Sequence, residues 1–378
     1  MQKLLAIVGT RPEAIKMAPL IKRIRQNSGL SIGVCSTGQH RHMIAQVFDL
    51  FGIVPDFDLD VMEPDQSLSA LTARLMTGLE NVLAGFKPDR VLVHGDTATT
   101  MAGSLAAYYQ KIPVDHIEAG LRTGNIYAPW PEEINRHVAD RIAEKLYAPT
   151  DGARDNLLGE NIPAAKIFVT GNTVIDALFD LVTGPLSEAG TVSNLESRLP
   201  FPTWGKKTIL VTCHRRESYG AGFAHVCAAL LALSRRDDVE IVFPVHLNPN
   251  IRSAFASLDG IPNIHLVKPL NYLEFTFMMQ RCFLILTDSG GIQEEAPALG
   301  KPVLVLRTVT ERPEAVEAGT VKLAGTDTHR ILELAENLLD DMRAYQAMSA
   351  SRNPYGDGKA CARIVASLRN EPFGAFHV

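Results

Sequence analysis

Nowhere in its 378 residues does the chain run ~18 apolar residues without a charge, so no transmembrane helix is expected. The opening run Leu4 to Val8 is too short for a secretory h-region and meets Gly9-Thr10-Arg11-Pro12 at once, so export is not expected either. Cysteine is scarce. The five present (Cys35, Cys213, Cys227, Cys282, Cys361) are odd in number and scattered, with no CxxC pair and no zinc-type Cys/His spacing. Reduced thiols in a cytoplasmic protein are the expectation, and no metal site. An excess of one charge is also lacking: 37 basic residues stand against 42 acidic ones, a formal charge of −5 with no basic stripe. That excludes broad nucleic-acid binding but not small anions, which need only a few placed cations. Finally, Gly220-Ala221-Gly222 lacks the third glycine and the preceding strand of a dinucleotide fingerprint, so no nicotinamide cofactor is expected.

What is present is a packed globular chain, 46% hydrophobic and 21% charged, long enough for two domains of ~100–200 residues. Short apolar runs read as strands (Lys3–Val8, Ile32–Cys35, Arg90–His94, Val114–Ile117, Lys145–Ala148), with helical stretches such as Thr99–Gln110 and Pro131–Ala143 between them. Thr208–Cys213, Glu240–Val245, Ile264–Val267, Phe283–Thr287 and Pro302–Leu306 repeat the plan, with helices around Phe223–Leu233, Tyr272–Gln280 and Ile292–Leu299. Alternating β and α implies parallel sheets covered by helices. Thr183–Lys207, rich in Gly, Pro, Ser and charge, reads as the linker. In such sheets ligands sit beyond the carboxyl ends of strands, so the loops there are the ones to inspect.

Thr287-Asp288-Ser289-Gly290-Gly291 joins a buried strand to a helix, and its glycines and helix N-terminus suit a phosphate or diphosphate. Glu295, one turn on, can accept two bonds from a ribose diol. The alternative is a tight turn whose acids complement the helix dipole. Arg11 and Lys16 follow the first strand as anion contacts or solvated surface charges, His214-Arg215-Arg216-Glu217 follows Ile209–Cys213 as a cationic loop or a set of inter-domain salt bridges, and Arg312 in Thr310-Glu311-Arg312-Pro313-Glu314 is an anion contact or a helix-start residue. Thr10 and Glu13 have capping-box spacing. Asp96, Glu118 and Glu132 end or follow strands. Asp96 has the alternative of capping its helix, and Glu132 and Glu133 that of ordinary first-turn acids paired with Arg136 and His137. Glu118 enters a glycine turn where a carboxylate serves no local purpose. Together the acids and cations suggest acid–base work on a phosphorylated substrate. Asp56-Phe57-Asp58-Leu59-Asp60 contains a DxD but reads as a loop without a supporting strand. His40 and His42 lack helical ligand spacing, and Phe275, Phe277 and Met278 read mainly as core, with Phe275 also suited to stacking on a base.

These loops together resemble the non-hydrolysing UDP-N-acetylglucosamine 2-epimerases. The matching stretches are Gly9-Thr10-Arg11-Pro12-Glu13-Ala14-Ile15-Lys16, His94-Gly95-Asp96-Thr97, His116-Ile117-Glu118-Ala119-Gly120-Leu121-Arg122-Thr123-Gly124, Pro131-Glu132-Glu133 with Asn135-Arg136, Gly171-Asn172-Thr173-Val174-Ile175-Asp176, His214-Arg215-Arg216-Glu217, Pro244-Val245-His246-Leu247-Asn248-Pro249 and Asp288-Ser289-Gly290-Gly291-Ile292-Gln293-Glu294-Glu295. They occur in family order over nearly the whole chain. The resemblance implies an α/β, GT-B-like architecture of two Rossmann-like, doubly wound parallel-sheet domains facing across a cleft. The expected domains are 1–175, with a C-terminal helix at about 359–378 packing back on it, and 176–358. It also implies a cytoplasmic homodimer interconverting UDP-GlcNAc and UDP-ManNAc for surface polysaccharide synthesis, without cofactor, metal, nucleic acid or membrane.

By the same resemblance, Arg11, Leu270, Phe275, Ser289, Gly290, Gly291, Glu295 and Arg312 contact the nucleotide, Leu270 replacing a Gln found in some relatives. Lys16, Asp96, Glu118, Glu132 and His214 take sugar, diphosphate or catalytic roles. Counterparts of an allosteric UDP-GlcNAc site in some members are Gln39, Arg74, Glu132, Arg215 and His246, with His42 standing where activated members carry alternatives such as Gln. The implied chemistry is departure of UDP from C1 with loss of the C2 proton, giving a 2-acetamidoglucal-type intermediate, and re-addition after protonation on the other face. The alternatives are a GT-B glycosyltransferase using a UDP-sugar, a 2-epimerase of a modified UDP-HexNAc, and a sugar-nucleotide-binding regulator without turnover.

Overall fold

Gln2–Val8 (β1) forms the middle of a sheet because its apolar residues fall on both faces, as a strand covered by helices on either side requires. In the computed structural model Leu30–Ser36 (β2) runs parallel to it from Gln2↔Leu30 to Val8↔Ser36, and Arg90–His94 (β4) lies along its other edge. Phe57–Asp58 (β3), Val114–Ile117 (β5), Lys145–Ala148 (β6) and Ile167–Val169 (β7) complete a seven-stranded parallel sheet in the order β3-β2-β1-β4-β5-β6-β7. The described residues are 1–199, 205–215, 219–246, 248–310 and 312–377, with Arg41 described through its backbone only. Arg216, Glu217, Leu247 and Glu311 of the motifs above therefore lie outside them, as do 200–204.

The chain divides into two units. The first is Met1–Ala177 with Tyr355–His377, and the second is Leu178–Pro354. In the first, helix Leu68–Phe86 buries Leu71, Leu75, Leu79, Val82 and Leu83, a stripe at helical spacing that faces the sheet. The last helix, Ala360–Leu368, belongs to this unit. Asp176 accepts the N–H groups of Ala360 and Cys361 at its start (3.1 and 3.0 Å), and Lys145 Nζ donates to the Ser367 carbonyl near its end (2.5 Å).

The second unit has its own six-stranded parallel sheet. Lys207–Thr212 (β8), Val239–Pro244 (β9), Ile264–Val267 (β10), Leu284–Thr287 (β11), Val303–Val305 (β12) and Val321–Leu323 (β13) are ordered β10-β9-β8-β11-β12-β13. Phe243, Phe255 and Leu230 are fully buried in its core. Both sheets thus reverse strand order beside their first strand, between β1 and β4 and between β8 and β11. The loops leaving those strands flank the crevice where open α/β sheets take ligands.

Two local expectations fail. Asp56–Asp60 is not a plain loop, since Phe57–Asp58 pairs with Cys35–Ser36, and Asp56 accepts the Val34 N–H at 2.8 Å. The apolar contact of Phe57 with Phe86, ring centroids 5.6 Å apart, anchors that two-residue edge. The stretch 183–207 is not an open linker either. It holds a short turn at Pro185–Ser187 and a helix at Ala189–Arg198, tied down by buried Leu186 and Leu195. No described helix is long and apolar enough to cross a membrane.

Candidate active site

In the first unit the loops after β1 and β4 are joined by a residue read only as a cap. Glu13 is 3% exposed, and its carboxylate accepts the N–H groups of Gly9 (2.6 Å) and Thr10 (2.8 Å), the Thr97 hydroxyl and the Thr100 hydroxyl (3.3 Å). Burial raises its pKa despite these donors. The reach across β1 and β4 fixes the start of helix Arg11–Arg25, which carries Arg11 and Lys16, against the loop carrying Asp96.

Glu118 follows β5 in the left-handed region, φ +67°, a conformation that costs a residue with a Cβ roughly 1–2 kcal/mol. Its carboxylate is bonded by the Lys16 ammonium and by Asn172 Nδ2 (2.7 Å), bringing together the loops after β5 and β7 and the helix that follows β1. His94, at the end of β4, is almost fully buried and presents Nε2 at 3.9 Å from Glu118 Oε2. Among the described residues neither His94 ring nitrogen has a hydrogen-bond partner. Burial, opposed by Glu118 and reinforced by the charges of Lys16 and His116, pushes its pKa down to about 3, so the ring is neutral near pH 7.

Asp96 does not cap the next helix; the Thr97 hydroxyl does, accepting the Thr100 N–H at 3.3 Å. The Asp96 carboxylate is instead paired with Arg136, and its carbonyl accepts from Asn135 Nδ2 at 2.9 Å. Arg136 is therefore not the i,i+4 partner of Glu132. It also donates to Glu133 (3.0 Å), whose other oxygen accepts the N–H groups of Thr123 and Gly124 (3.0 and 3.1 Å). Glu132 sits half-buried on the first helical turn, and among the described residues nothing bonds its carboxylate. Two groups are thus assembled, Glu118 with Lys16 and Asn172, and Asp96 with Arg136 and Asn135, while Arg11 is half-buried at the start of its helix.

In the second unit Asp288 is wholly buried. One of its oxygens accepts the N–H groups of His214 (2.6 Å) and Arg215 (2.7 Å), and the other lies 3.2 Å from His214 Nδ1. Burial alone would raise this carboxyl, but the His214 ring and those two amides hold it below the usual carboxylate range. The exposed His214 ring is stacked on the exposed His246 ring, centroids 6.0 Å apart at 15°. Ser289, Gly290 and Gly291 open helix Gly290–Ala298. A Cβ on Gly290 would meet no protein atom within 4 Å, so open space lies over that N-terminus. Glu295 is held by Tyr272, whose hydroxyl donates to Oε2 at 2.7 Å, and Arg312 by the carboxylate of Glu294. Phe275 and Leu270 are half-buried.

The residues tied by resemblance to a second ligand fall in both units. Gln39 Oε1 accepts from Thr99 (3.1 Å), and Arg74 is engaged by Glu63 and by Gln66 (2.9 Å). Arg215 is half-buried and His246 exposed. Sequence reasoning assigned no site role to Glu13, Asn172, Arg136, Glu133, Asp288, Glu294 or Tyr272. The available signal was an acid or amide inside an otherwise apolar element, as at Asp288 behind β11. Among the described residues no group of three His, Cys, Asp or Glu is placed to hold a metal ion.

Residues 22–369 match the family model described as UDP-N-acetylglucosamine 2-epimerase. The UDP-N-acetylglucosamine 2-epimerase of Escherichia coli K12 is 54% identical over 370 residues, 97% of this chain and 98% of that one. Among solved structures, a UDP-GlcNAc 2-epimerase from Neisseria meningitidis bound to UDP-GlcNAc is 49% identical with a TM-score of 0.92, covering 98% of this chain and all of its own. The UDP-GlcNAc 2-epimerase of Methanocaldococcus jannaschii, in complex with UDP-GlcNAc and UDP, is 33% identical with a TM-score of 0.81, covering 98% of this chain and all of its own.

Proposed function

The chain belongs to the UDP-N-acetylglucosamine 2-epimerase family, and from that membership we propose how its residues carry the reaction. It is an isomerase with two Rossmann-like parallel-sheet units of GT-B-like class. Its substrate is UDP-GlcNAc and its product UDP-ManNAc, a reading supported by the relatives' activity and by the UDP-GlcNAc in the meningococcal structure.

The chemistry sets the demand. The C2 proton has no adjacent carbonyl to acidify it, so direct abstraction is slow. If the C1–O bond breaks with its electron pair going to UDP, positive charge grows at C1. A carboxylate can then take the C2 proton, leaving a C1=C2 double bond. Delivery of a proton to the other face of C2 and re-formation of the C1–O bond complete the inversion. Carboxylates poised by neighbouring cations and placed cations for the leaving diphosphate are the two requirements.

The observation that carries this reading is Glu118, held in a costly backbone conformation with its carboxylate against Lys16 and Asn172. Asp96, set by Arg136, is the second proton-handling acid, and Glu132 the third candidate. Lys16, Arg11 and His214 supply charge to the departing UDP. In the second unit the Ser289-Gly290-Gly291 turn receives diphosphate, Arg312, Phe275 and Leu270 contact the nucleoside, and Glu295 takes the ribose hydroxyls. Tyr272→Phe should therefore weaken UDP binding about 3–10-fold by calorimetry, ~0.7–1.4 kcal/mol, because Glu295 loses its orienting donor.

Incubation with UDP-GlcNAc alone in D2O, followed by NMR, tests the whole reading. UDP-ManNAc deuterated at C2 should accumulate without acceptor, metal or nucleotide cofactor. Inertness until a sugar acceptor is added would favour a glycosyltransferase and overturn it.

A further inference from the structure

We propose that His116 and Asp140 form a buried imidazolium–carboxylate pair that positions the loops carrying Asp96 and Glu118 and the helix carrying Glu132. His116 lies on β5, two residues before Glu118, and its ring is fully buried. Nδ1 is 2.6 Å from Asp140 Oδ1, and Nε2 is 2.7 Å from the Gly95 carbonyl oxygen. A carbonyl only accepts, so Nε2 carries a hydrogen. The other Asp140 oxygen accepts the Gly120 N–H (3.2 Å) and lies 2.8 Å from Arg122 Nη1. With the Arg122 guanidinium and the Gly120 N–H both donating to that oxygen, Asp140 meets His116 as a carboxylate and only accepts. Nδ1 must therefore carry a hydrogen as well, and the ring bears a positive charge.

The surroundings balance that charge. Arg122 is bidentate to Glu160 (2.6 and 2.9 Å), and Glu160 also lies 3.4 Å from His137 Nδ1. Two buried cations, His116 and Arg122, thus face two anions, Asp140 and Glu160. His94 on the neighbouring strand also lies near the ring, and it is neutral. A neutral His116 would satisfy only one of its two acceptors, leaving a buried oxygen unpaired.

The consequence is geometric. Gly95 directly precedes Asp96, and Gly120 closes the turn that begins at Glu118. Asp140 is on helix Glu132–Ile142, which also supplies Asn135 and Arg136 to Asp96. One charged ring therefore registers three acid-bearing segments against one another. Neither residue is itself a proton donor to substrate, so both are positioning residues.

The proposal rests on the assignment of Asp96 and Glu118 to proton transfer, and the test separates the two. With selective 15N-histidine labelling of the full chain, both His116 ring nitrogens should show a bonded hydrogen, one toward Asp140 and one toward the Gly95 carbonyl. A His116 ring nitrogen without its hydrogen would overturn the pair even if the enzyme turns over normally. Failure of C2 deuteration in the unaltered protein would instead remove the acid–base assignment. In Asp140→Asn and His116→Gln, kcat should fall at least ~10-fold and its pH profile should shift, with the Kd for UDP changed by less than ~2-fold. Unchanged kcat in both variants would refute the positioning role. If neither variant folds, the ring-nitrogen signals of the unaltered protein decide.

Discussion

Glu118→Gln is expected to lose at least ~100-fold in turnover, about 2.7 kcal/mol of transition-state stabilisation, while UDP still binds. The substitution preserves the size of the side chain and an oxygen for Asn172 to bond, so packing around the turn is retained. What it removes is the capacity to take a proton and the negative charge facing Lys16. If Glu118 handles the C2 proton, deuterium incorporation from D2O must fall with net conversion. If it only anchors Lys16, exchange and conversion should survive within a few fold. Measurement of kcat, C2 exchange and UDP affinity on one preparation separates these outcomes, and turnover within ~3-fold of the unaltered enzyme would remove Glu118 from the chemistry. Asp96→Asn should behave similarly, because an amide cannot take a proton and loses its charge pairing with Arg136.

Gly120→Ala should cost on the order of 3 kcal/mol, seen as a melting temperature lower by roughly 5–10 °C. Gly120 has φ +86°, where an L side chain costs about 1–2 kcal/mol. Here space is lacking too: a Cβ would stand 2.3 Å from the Ala153 carbonyl oxygen and 2.9 Å from Leu157 Cγ. The first of these neighbours is backbone, so relief requires moving helix Asp151–Gly159 or the turn itself, and overpacking of this kind costs about 1–3 kcal/mol more. Movement of the turn would also stretch the Gly120 N–H bond to Asp140 and shift Glu118 two residues earlier. Activity should therefore fall along with stability. A variant melting within about 1 °C of the unaltered protein would show that the turn relaxes freely.

The strands that carry the site were legible because they are apolar on both faces and end abruptly in polar residues. Lys3–Val8, Arg90–His94 and Val114–Ile117 are examples, and each meets a loop residue of chemical interest. The edge strands Phe57–Asp58, Ile167–Val169 and Val321–Leu323 were not, since two or three residues show no period. Glu118 stood out in the sequence because an acid entering a glycine turn has no local partner. Glu13 was read only in part for the opposite reason: its capping box with Thr10 is present and explains it locally, while its bonds to Thr97 and Thr100 lie more than 80 residues away.

By itself, then, the order of apolar runs and polar loops determined the α/β class, the parallel sheets and the set of charged residues near strand ends, because burial on two faces and helix-start chemistry are local demands. Which acid meets which cation was decided by the tertiary structure. Lys16 reaches Glu118, Arg136 reaches Asp96 and His116 reaches both Gly95 and Asp140 only after parallel strands bring distant loops side by side. Protonation follows the same rule, since the burial that leaves His94 neutral exists only in the folded sheet.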